Sequence, residues 1–174
     1  MIVAYHGARC PHWRHDNARC ARNALHGSFD ENRVVLYTLT APAPMPRTHL
    51  TSPSAPAAIG PYSHGVWAGE LLYLSGQTPI DPATGRLIDG DVQAQTHRVF
   101  DNLDSALRDA GLTMHDVIKC NVYLTDMSNF PDMNVAYASR FDAPFPARTT
   151  VAVAGLPLGA SVEIELVARK TADA

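Results

Sequence analysis

The apolar residues of this chain become periodic only after about residue 59, and their period then alternates between that of a strand and that of a helix. The runs His64–Ala68 and Leu71–Ser75 are typical of strands, and Gly69-Glu70 between them is typical of a tight hairpin. A stripe at spacings of three and four residues follows, which predicts a helix of about five turns. A chain with both periods must bury a sheet against helices. The residues of the stripe are Val92, Thr96, Val99, Leu103, Ala106 and Ala110.

Capping residues mark both ends of this first helix. Asp89 or Asp91 is placed to cap its start, and Gly111 is placed to end it because glycine accepts the left-handed conformation. Ahead of the helix, the segment 81–85 reads Asp-Pro-Ala-Thr-Gly and predicts a turn.

Beyond the first helix, the pattern predicts a strand, a second helix and two further strands. Ile118–Leu124 alternates as a half-buried strand does. Ser128 is placed to cap the second helix, and the prolines after that helix stop it. The strands Thr149–Ala154 and Val162–Ala168 are joined by a segment too short for a crossover helix, which predicts that they pair antiparallel. One side of the second helix carries Phe130, Met133, Asn134, Tyr137 and Phe141.

The order strand, strand, helix, strand, helix, strand, strand predicts an α+β fold in which a sheet carries two helices on one face. The other face of such a sheet is partly apolar and needs cover. Val151, Val153 and Val167 belong to the predicted strands and supply apolar surface. We therefore expect an interface between copies of the chain on that face.

The N-terminal segment differs from the periodic region in charge and in pattern. Residues 1–47 hold six Arg and three acidic residues (+3), whereas residues 48–174 hold eight basic and 14 acidic residues (−6). Residues 1–44 show neither period and end in a proline-rich, linker-like stretch. We expect residues 1–47 to be a disordered extension or the product of a start assigned too early, with Met45 as the native start, and residues 48–174 to be the folded domain. A targeting or partner-binding arm is the alternative.

The composition argues against several classes of protein. The acidic balance of residues 48–174 is unlike that of a nucleic-acid binder, and no apolar run approaches the ~20 residues that span a membrane. Cys10, Cys20 and Cys120 are odd in number and lack the spacing of a disulfide framework or a zinc site, which favours a reducing cytoplasm. Cys120 alternates with its apolar neighbours as a small buried strand residue does.

Four separated motifs of the periodic region occur in the same order in a known family. They are Ala-Ala-Ile-Gly-Pro-Tyr-Ser-His-Gly at 57–65, Leu-Ser-Gly-Gln at 74–77, Phe-Pro-Ala-Arg at 145–148 and Glu-Ile-Glu at 163–165. Over roughly residues 50–170 the chain thereby resembles the RidA family, also called YjgF. The resemblance implies a chorismate-mutase-like α+β fold and a homotrimer whose sites lie between subunits. It also implies hydrolytic deamination of reactive 2-enamines and 2-imino acids, such as 2-aminoacrylate, to 2-keto acids and ammonia, with no metal or organic cofactor.

The resemblance implies catalytic roles for three residues. Arg148 matches the arginine that anchors the substrate carboxylate, a task that suits the planar guanidinium fork, and a surface ion pair is the alternative. Glu163 matches the glutamate that orients the water, although by pattern alone Glu163 and Glu165 are both candidates for a solvated strand face. Tyr62 lies in a rigid loop and matches a tyrosine that lines the site, and a half-buried loop aromatic is the alternative.

Four further residues are expected beside the substrate. The family places Ser75 and Gly76 at a strand end next to the ligand, and an ordinary strand-end hydroxyl is the alternative for Ser75. Asn134 on the second helix matches a family asparagine, for which capping or an inter-subunit hydrogen bond is an equal alternative. Thr150 stands where many members have cysteine, so no thiol nucleophile exists at this position. His64, within the first motif, is interpreted as structural.

Two other functions stay open beside imine hydrolysis. A ligand-sensing or chaperone-like protein would keep the cleft without turnover. Within the family, the branches that lack the anchoring arginine are the poor candidates for a deaminase. Arg148 is present in this chain, which favours the enzyme. RNA cleavage is also attributed to the family, but the net charge of −6 over residues 48–174 argues against phosphate contacts. We therefore expect a cytoplasmic enzyme that acts on a small 2-imino acid.

Overall fold

A six-stranded sheet is the framework of residues 47–170, which are the residues described in this computed structural model. The expectations for Cys10, Cys20 and a start at Met45 lie outside the described residues. The strands are β1 (Thr48–Leu50), β2 (Gly65–Ala68), β3 (Leu71–Gln77), β4 (Ile80–Asp81), β5 (Arg86–Leu87), β6 (Val117–Leu124), β7 (Ala147–Ala152) and β8 (Val162–Arg169). The α-helices of the described residues are α1 (Val92–Asp109) and α2 (Phe130–Ala138).

The strand order across the sheet is β1-β2-β3-β8-β6-β7, and β4 and β5 form a separate two-stranded ribbon. Neighbouring strands of the sheet are antiparallel except β6 and β7, which are parallel. The hairpin predicted at Gly69-Glu70 joins β2 to β3, and the turn predicted at 81–85 joins β4 to β5. Gly69 and Gly85 have φ values of 64° and 67°, which glycine adopts without strain.

The predicted antiparallel pairing of the last two strands is wrong. β7 pairs with β6, and β8 lies between β3 and β6. β7 and β8 do run in opposite directions, but β6 separates them. The connection 153–161, which contains a 3-10 turn at Pro157–Gly159, is long enough to pass one strand, a distance of about 10 Å. The sequence reasoning took this connection for a hairpin and overlooked that α2 is the crossover that two parallel strands require.

The first helix follows its predicted pattern. Asp91 caps α1, and its side chain accepts a hydrogen bond from the Ala94 backbone N–H at 2.9 Å. Gly111 follows the helix with a φ of 75°, as a helix-ending glycine does. Neither α-helix of the described residues is long and apolar enough to cross a membrane. The stripe residues buried in the core are Val92, Thr96, Val99, Leu103 and Ala106.

The second helix begins differently from its prediction. A 3-10 turn, Met127–Asn129, precedes α2 and is capped by the Asp126 side chain, which accepts from the Ser128 backbone N–H at 2.8 Å. Ser128 is therefore not a cap. Asn129 is the N-cap of α2 without a side-chain hydrogen bond, and Pro131 lies in the first turn.

The sheet has a helix face, which α1 and α2 cover, and an open face on its other side. Glu163, Glu165 and Val167 of β8 lie on the open face, where they are only half-buried. Tyr73 and Val151 lie on the same face and are 48% and 42% exposed. The predicted one-sided packing of an α+β fold is confirmed, and within a single chain the open face has no cover from the described helices. The helix-face residues of β8 are Val162, Ile164, Leu166 and Ala168, all buried.

Candidate functional site

Arg148 is held on the helix face by aromatic rings. It stands opposite Cys120 in the parallel pair of β7 with β6, at the edge of the sheet. The central carbon of its guanidinium lies 4.5 Å from the ring centroid of Tyr137 and 5.7 Å from that of Phe130. Among residues 47–170 no carboxylate lies within ion-pairing distance of Arg148, and no side chain accepts a hydrogen bond from it. The positive charge of Arg148 is thus not neutralised by any described side chain.

Four further side chains lie on the same face of the sheet as Arg148. Phe130, Asn134 and Tyr137 lie on one side of α2 because they are separated by four and three residues, and Thr150 lies on the same side of β7 as Arg148. The Asn134 Oδ1 and Thr150 Oγ1 atoms are enclosed and have no hydrogen-bond partner among residues 47–170, and the enclosed Tyr137 hydroxyl has the Cys120 thiol beside it. We call Arg148, Phe130, Asn134, Tyr137 and Thr150 the arginine cluster. The fold therefore brings the predicted residues Arg148, Asn134 and Thr150 together.

Sequence reasoning missed the place of Tyr137 and Phe130 in this cluster. It assigned both residues to the apolar side of α2, and Tyr137 is indeed buried. An aromatic residue at helical spacing gives the same signal whether it packs on a core or on a guanidinium. A second signal was present, because the Pro-x-Arg motif follows α2 as the next strand and so places Arg148 beside that helix.

The cysteine beside the cluster is not a nucleophile. Cys120 is fully buried, as predicted, and burial raises the pKa of its thiol to about 11. Burial also raises the pKa of the Tyr137 hydroxyl. Both groups therefore stay protonated near neutral pH, and the thiolate needed for covalent catalysis does not form at Cys120.

Glu163 lies on the open face against a glycine. It is opposite Tyr123 of β6 and next to Gly76 of β3, where a side chain would come within 2.9 Å of the Glu163 carboxyl carbon. Burial, and then the charge of the Glu165 carboxylate, raise the pKa of Glu163 above its ordinary 4.5. This carboxylate is therefore a better proton acceptor than an exposed glutamate.

The Glu165 carboxylate already accepts hydrogen bonds from neighbouring side chains, whereas the Glu163 carboxylate accepts none from a described side chain. One oxygen of Glu165 accepts hydrogen bonds from Asn121 Nδ2 at 2.7 Å and from the Tyr123 hydroxyl at 3.0 Å. Among the described residues, no side chain donates a hydrogen bond to Glu163. The two glutamates share a face, as predicted, and the contacts favour Glu163 as the one that can hold a water.

The loop before β2 is fixed by buried hydrogen bonds. His64 accepts from the Ser52 backbone N–H at its Nδ1 (3.0 Å) and bonds the Pro56 carbonyl with its Nε2 (2.9 Å). The Ser75 hydroxyl donates to the Ser63 carbonyl at 2.7 Å, and the Ser75 backbone N–H donates to the His64 carbonyl at 2.9 Å. His64 is structural, as predicted, and the Ser75 hydroxyl holds this loop in place.

Tyr62 lies at the exposed end of the same loop. Its side chain is 45% exposed, and its hydroxyl accepts a hydrogen bond from the Ile59 backbone N–H at 3.3 Å. The Ser75 backbone bonds the carbonyl of His64, two residues after Tyr62, and Ser75 directly precedes Gly76, against which Glu163 lies. We call Glu163, Gly76 and Ser75 the glutamate cluster.

The arginine cluster and the glutamate cluster lie on opposite faces of the sheet. Arg148 is the partner of Cys120, whereas Glu163 is the partner of Tyr123, three residues further along β6. Side chains an odd number of residues apart on a strand point to opposite faces. A single chain therefore does not bring the Arg148 guanidinium and the Glu163 carboxylate together.

Comparison with known proteins identifies relatives over the folded part of the chain. A family model described as endoribonuclease L-PSP matches residues 52–170. A RutC family protein of Pyrococcus horikoshii is 46% identical over 117 residues, which are 67% of this chain and 93% of that protein. A 2-iminobutanoate/2-iminopropanoate deaminase of Dermatophagoides farinae is 38% identical over 120 residues, which are 69% of this chain and 94% of that protein.

A solved structure shows the same fold. RidA from an Antarctic Psychrobacter superposes with a TM-score of 0.68 at 41% sequence identity, and the match covers 71% of this chain and 99% of that one. The six-stranded sheet with two helices on one face is therefore a RidA-type fold, as the four sequence motifs predict. Since the family model matches residues 52–170 and these relatives are matched almost end to end, the chain belongs to the RidA family, also called YjgF.

Proposed function

We propose that this protein hydrolyses 2-imino acids and 2-enamines, such as 2-aminoacrylate, to 2-keto acids and ammonia. The observation that carries the proposal is the Arg148 guanidinium, which is half-buried, rests on two aromatic rings and has no described anionic partner. A guanidinium in this state binds a carboxylate through two parallel hydrogen bonds. The deaminase name of the Dermatophagoides farinae relative supports the same reaction.

The reaction needs a base beside the carboxylate anchor, and Glu163 suits this role. In the proposed mechanism, Glu163 takes a proton from a water whose oxygen bonds to carbon 2 of the imine, and the imine nitrogen gains a proton. The amino group of the resulting carbinolamine takes a further proton, the carbon–nitrogen bond breaks and ammonia leaves, and the hydroxyl becomes the keto oxygen as it gives up its proton, which replaces the one taken by the nitrogen. An enamine substrate first takes a proton on its methylene carbon and so becomes the imine. Tyr62, Ser75 and Gly76 would shape the cleft around this water.

We further propose a homotrimer in which the arginine cluster of one subunit meets the glutamate cluster of the next. The opposite orientation of Arg148 and Glu163 supports this assembly, because one chain holds only half of the groups that the reaction needs. The exposed Tyr73 and Val151 on the open face supply apolar surface for a neighbouring subunit. An active monomer in analytical ultracentrifugation would contradict this assembly.

The proposed reaction is tested with a panel of imines that an amino-acid oxidase generates in the assay. The wild type should release ammonia from at least the small aliphatic imines. Arg148→Ala should lower kcat/KM about a hundredfold or more, since it removes a charge-assisted, bidentate pair with the substrate. Arg148→Lys should also be poor because an ammonium cannot reproduce the fork. Arg108→Ala is the matched control, since its ion pair with Asp104 is exposed on α1.

Other outcomes of this experiment would favour other functions. Binding of 2-oxobutanoate without ammonia release from any imine would favour a ligand-sensing or chaperone-like protein. Cleavage of RNA by the wild type, weakened steeply by salt, would favour the activity that the family description names. Near-normal kcat/KM in Arg148→Ala would refute the role of Arg148. We propose that the reaction takes place in the cytoplasm. The three cysteines lack the spacing of a disulfide framework, which suits a reducing compartment.

A further inference from the structure

The described contacts of the Arg148 guanidinium are with two rings of one helix. Its central carbon lies over Tyr137 at 4.5 Å and over Phe130 at 5.7 Å. Both distances fall within the ~6 Å range of cation–π attraction. The two aromatic residues are seven positions apart on α2, so they lie on one side of that helix, the side that contacts Arg148 of β7. A helix thus supplies the surface on which the arginine of the neighbouring strand rests.

The nearer ring is itself fixed in the core. Tyr137 is only 4% exposed. Its ring packs edge-on against Phe100, with centroids 5.5 Å apart, and lies tilted against the Phe141 ring, with centroids 5.0 Å apart. A ring in such a cluster keeps one orientation, because close-packed interiors leave little room for rotation. It therefore differs from an exposed tyrosine that follows the arginine as the arginine moves.

Stacking holds a guanidinium without occupying its donors. The five N–H groups of arginine lie in the plane of the group, whereas an aromatic ring contacts the face of that plane. A carboxylate in the place of the ring would bind the same N–H groups that a substrate carboxylate needs. The described contacts of Arg148 with Tyr137 and Phe130 occupy none of its N–H donors with an acceptor, so the fork stays available for a ligand, and a guanidinium held in place lowers the conformational cost of binding.

We infer that Tyr137 is a positioning residue that holds the Arg148 guanidinium in place. Its ring, rather than its hydroxyl, holds the guanidinium, and the Phe130 ring contributes less. The Tyr137 hydroxyl is enclosed beside the Cys120 thiol, which is a weak hydrogen-bond partner, so removal of the hydroxyl costs little. Phe130 is farther from the guanidinium and only half-buried. The inference rests on the proposed role of Arg148 as the carboxylate anchor, and it concerns affinity for the ligand rather than the chemical step.

The kinetic test compares Tyr137→Phe, Tyr137→Leu and Phe130→Leu. Tyr137→Leu should raise KM for a small imino acid by about three- to thirtyfold, the equivalent of one cation–π contact, with a smaller change in kcat. Phe130→Leu should have the same effect in weaker form. Tyr137→Phe should keep KM within about twofold of the wild type because the ring remains. A rise in KM for Tyr137→Phe as large as for Tyr137→Leu would overturn the inference.

Phe141→Leu is the matched control for stability. Phe141 packs on the rings of Tyr137 and Phe100, but no contact with Arg148 is described for it. Its replacement should cost stability of the same order as Tyr137→Leu but raise KM far less, because the Tyr137 ring and its packing on Phe100 remain. If Phe141→Leu raises KM equally, the effect comes from general loosening of the core, and the inference is wrong. Phe130→Leu gives the answer should Tyr137→Leu fail to fold.

A second readout needs no turnover and so separates this inference from the proposed function. In ¹⁵N-labelled protein, the Arg148 Nε–H signal is assigned by its loss in Arg148→Lys. In the wild type and in Tyr137→Phe it should be displaced by the ring current of the two aromatic rings, and in Tyr137→Leu the displacement should shrink. Titration with 2-oxobutanoate should show weaker binding in Tyr137→Leu only. An unchanged Nε–H signal in Tyr137→Leu overturns the inference, even if the wild type hydrolyses no imine.

Discussion

The Glu163 carboxylate can occupy its position on the open face because residue 76 is a glycine and has no side chain. A methyl group at position 76 would overlap the Glu163 carboxylate, so only glycine leaves room for it. We predict that Gly76→Ala displaces Glu163 and lowers the rate of imine hydrolysis at least tenfold while the fold survives, as measured by ammonia release and circular dichroism. Gly155→Ala is the control, because a methyl group there meets nothing within 4 Å. Wild-type turnover in Gly76→Ala would show that the carboxylate works from another position.

The two glutamates of β8 should differ strongly in their effect on turnover. Glutamine keeps the shape of glutamate but cannot take a proton, so Glu163→Gln should lower kcat about 10²–10⁴-fold, the usual worth of a general base. Glu165→Gln should have a much smaller effect, since Glu165 binds Asn121 and Tyr123 rather than a water. The measurement is steady-state kinetics on one imine. Equal rates in both variants would mean that the water is activated without Glu163.

The raised pKa of Glu163 predicts a pH dependence of both rate and stability. The base must be ionised, so kcat/KM should fall as pH drops through a pKa above the ordinary 4.5 of glutamate. The shift is upward, so the stability associated with protonated Glu163 is present below 4.5 and is lost as pH rises through the raised pKa. Glu163→Gln should therefore raise the thermal midpoint at pH 7 but not at pH 4. An equal gain at both pH values would contradict a raised pKa.

The sequence motifs predict which polar and charged residues belong to the candidate site, whereas the residues that pack against them could not be predicted. Arg148, Glu163 and Gly76 stand in motifs, and the structure places Arg148 without a described anionic partner and Glu163 against Gly76. The contact of the Tyr137 ring with Arg148 could not be predicted, because the spacing of Tyr137 is that of any core residue on a helix. The separation of the two clusters onto opposite faces depends on strand register, which needs the partners of β6 to be known.

The element with the most complete local signals, α1, was predicted correctly, whereas the position of β7, which depends on a distant partner, was not. α1 has its own cap, its own stripe and its own terminal glycine, all of which can be read within 20 or so residues. The place of β7 at the sheet edge is decided by its pairing with β6, about 30 residues away along the chain. Loop length alone could not distinguish a hairpin from a connection that passes over one strand.

The end of α2 is tied to α1 by one arginine. Arg140 donates to the His97 carbonyl at 3.0 Å, to His97 Nδ1 at 3.2 Å and to Asp101 at 2.8 Å. We predict that Arg140→Ala lowers the free energy of unfolding by about 1 kcal/mol, measured by urea denaturation, because the half-buried acceptors of His97 lose their partner. Arg108→Ala should change it by less than about 0.5 kcal/mol, since that ion pair is exposed. Equal effects would show that Arg140 does not hold the helices together.

For the whole molecule, the family model matches residues 52–170, and both clusters consist of residues of this region. We predict that a chain beginning at Met45 keeps the thermal midpoint and the rate of imine hydrolysis of the full-length protein. Differential scanning calorimetry and the ammonia assay check this. A large drop in either quantity would show that residues 1–44 pack on the domain or contribute to the site.

The central claim is that a complete site needs two chains, one giving Arg148 and the other Glu163. The most direct test mixes the inactive variants Arg148→Ala and Glu163→Gln, unfolds them together and refolds them so that subunits exchange. Each variant keeps the cluster that the other lacks, so about one site in four of a random trimer should combine two intact halves. The account predicts that activity returns to about a quarter of the wild-type value, although each variant refolded alone stays inactive. Mixed trimers without activity would contradict it.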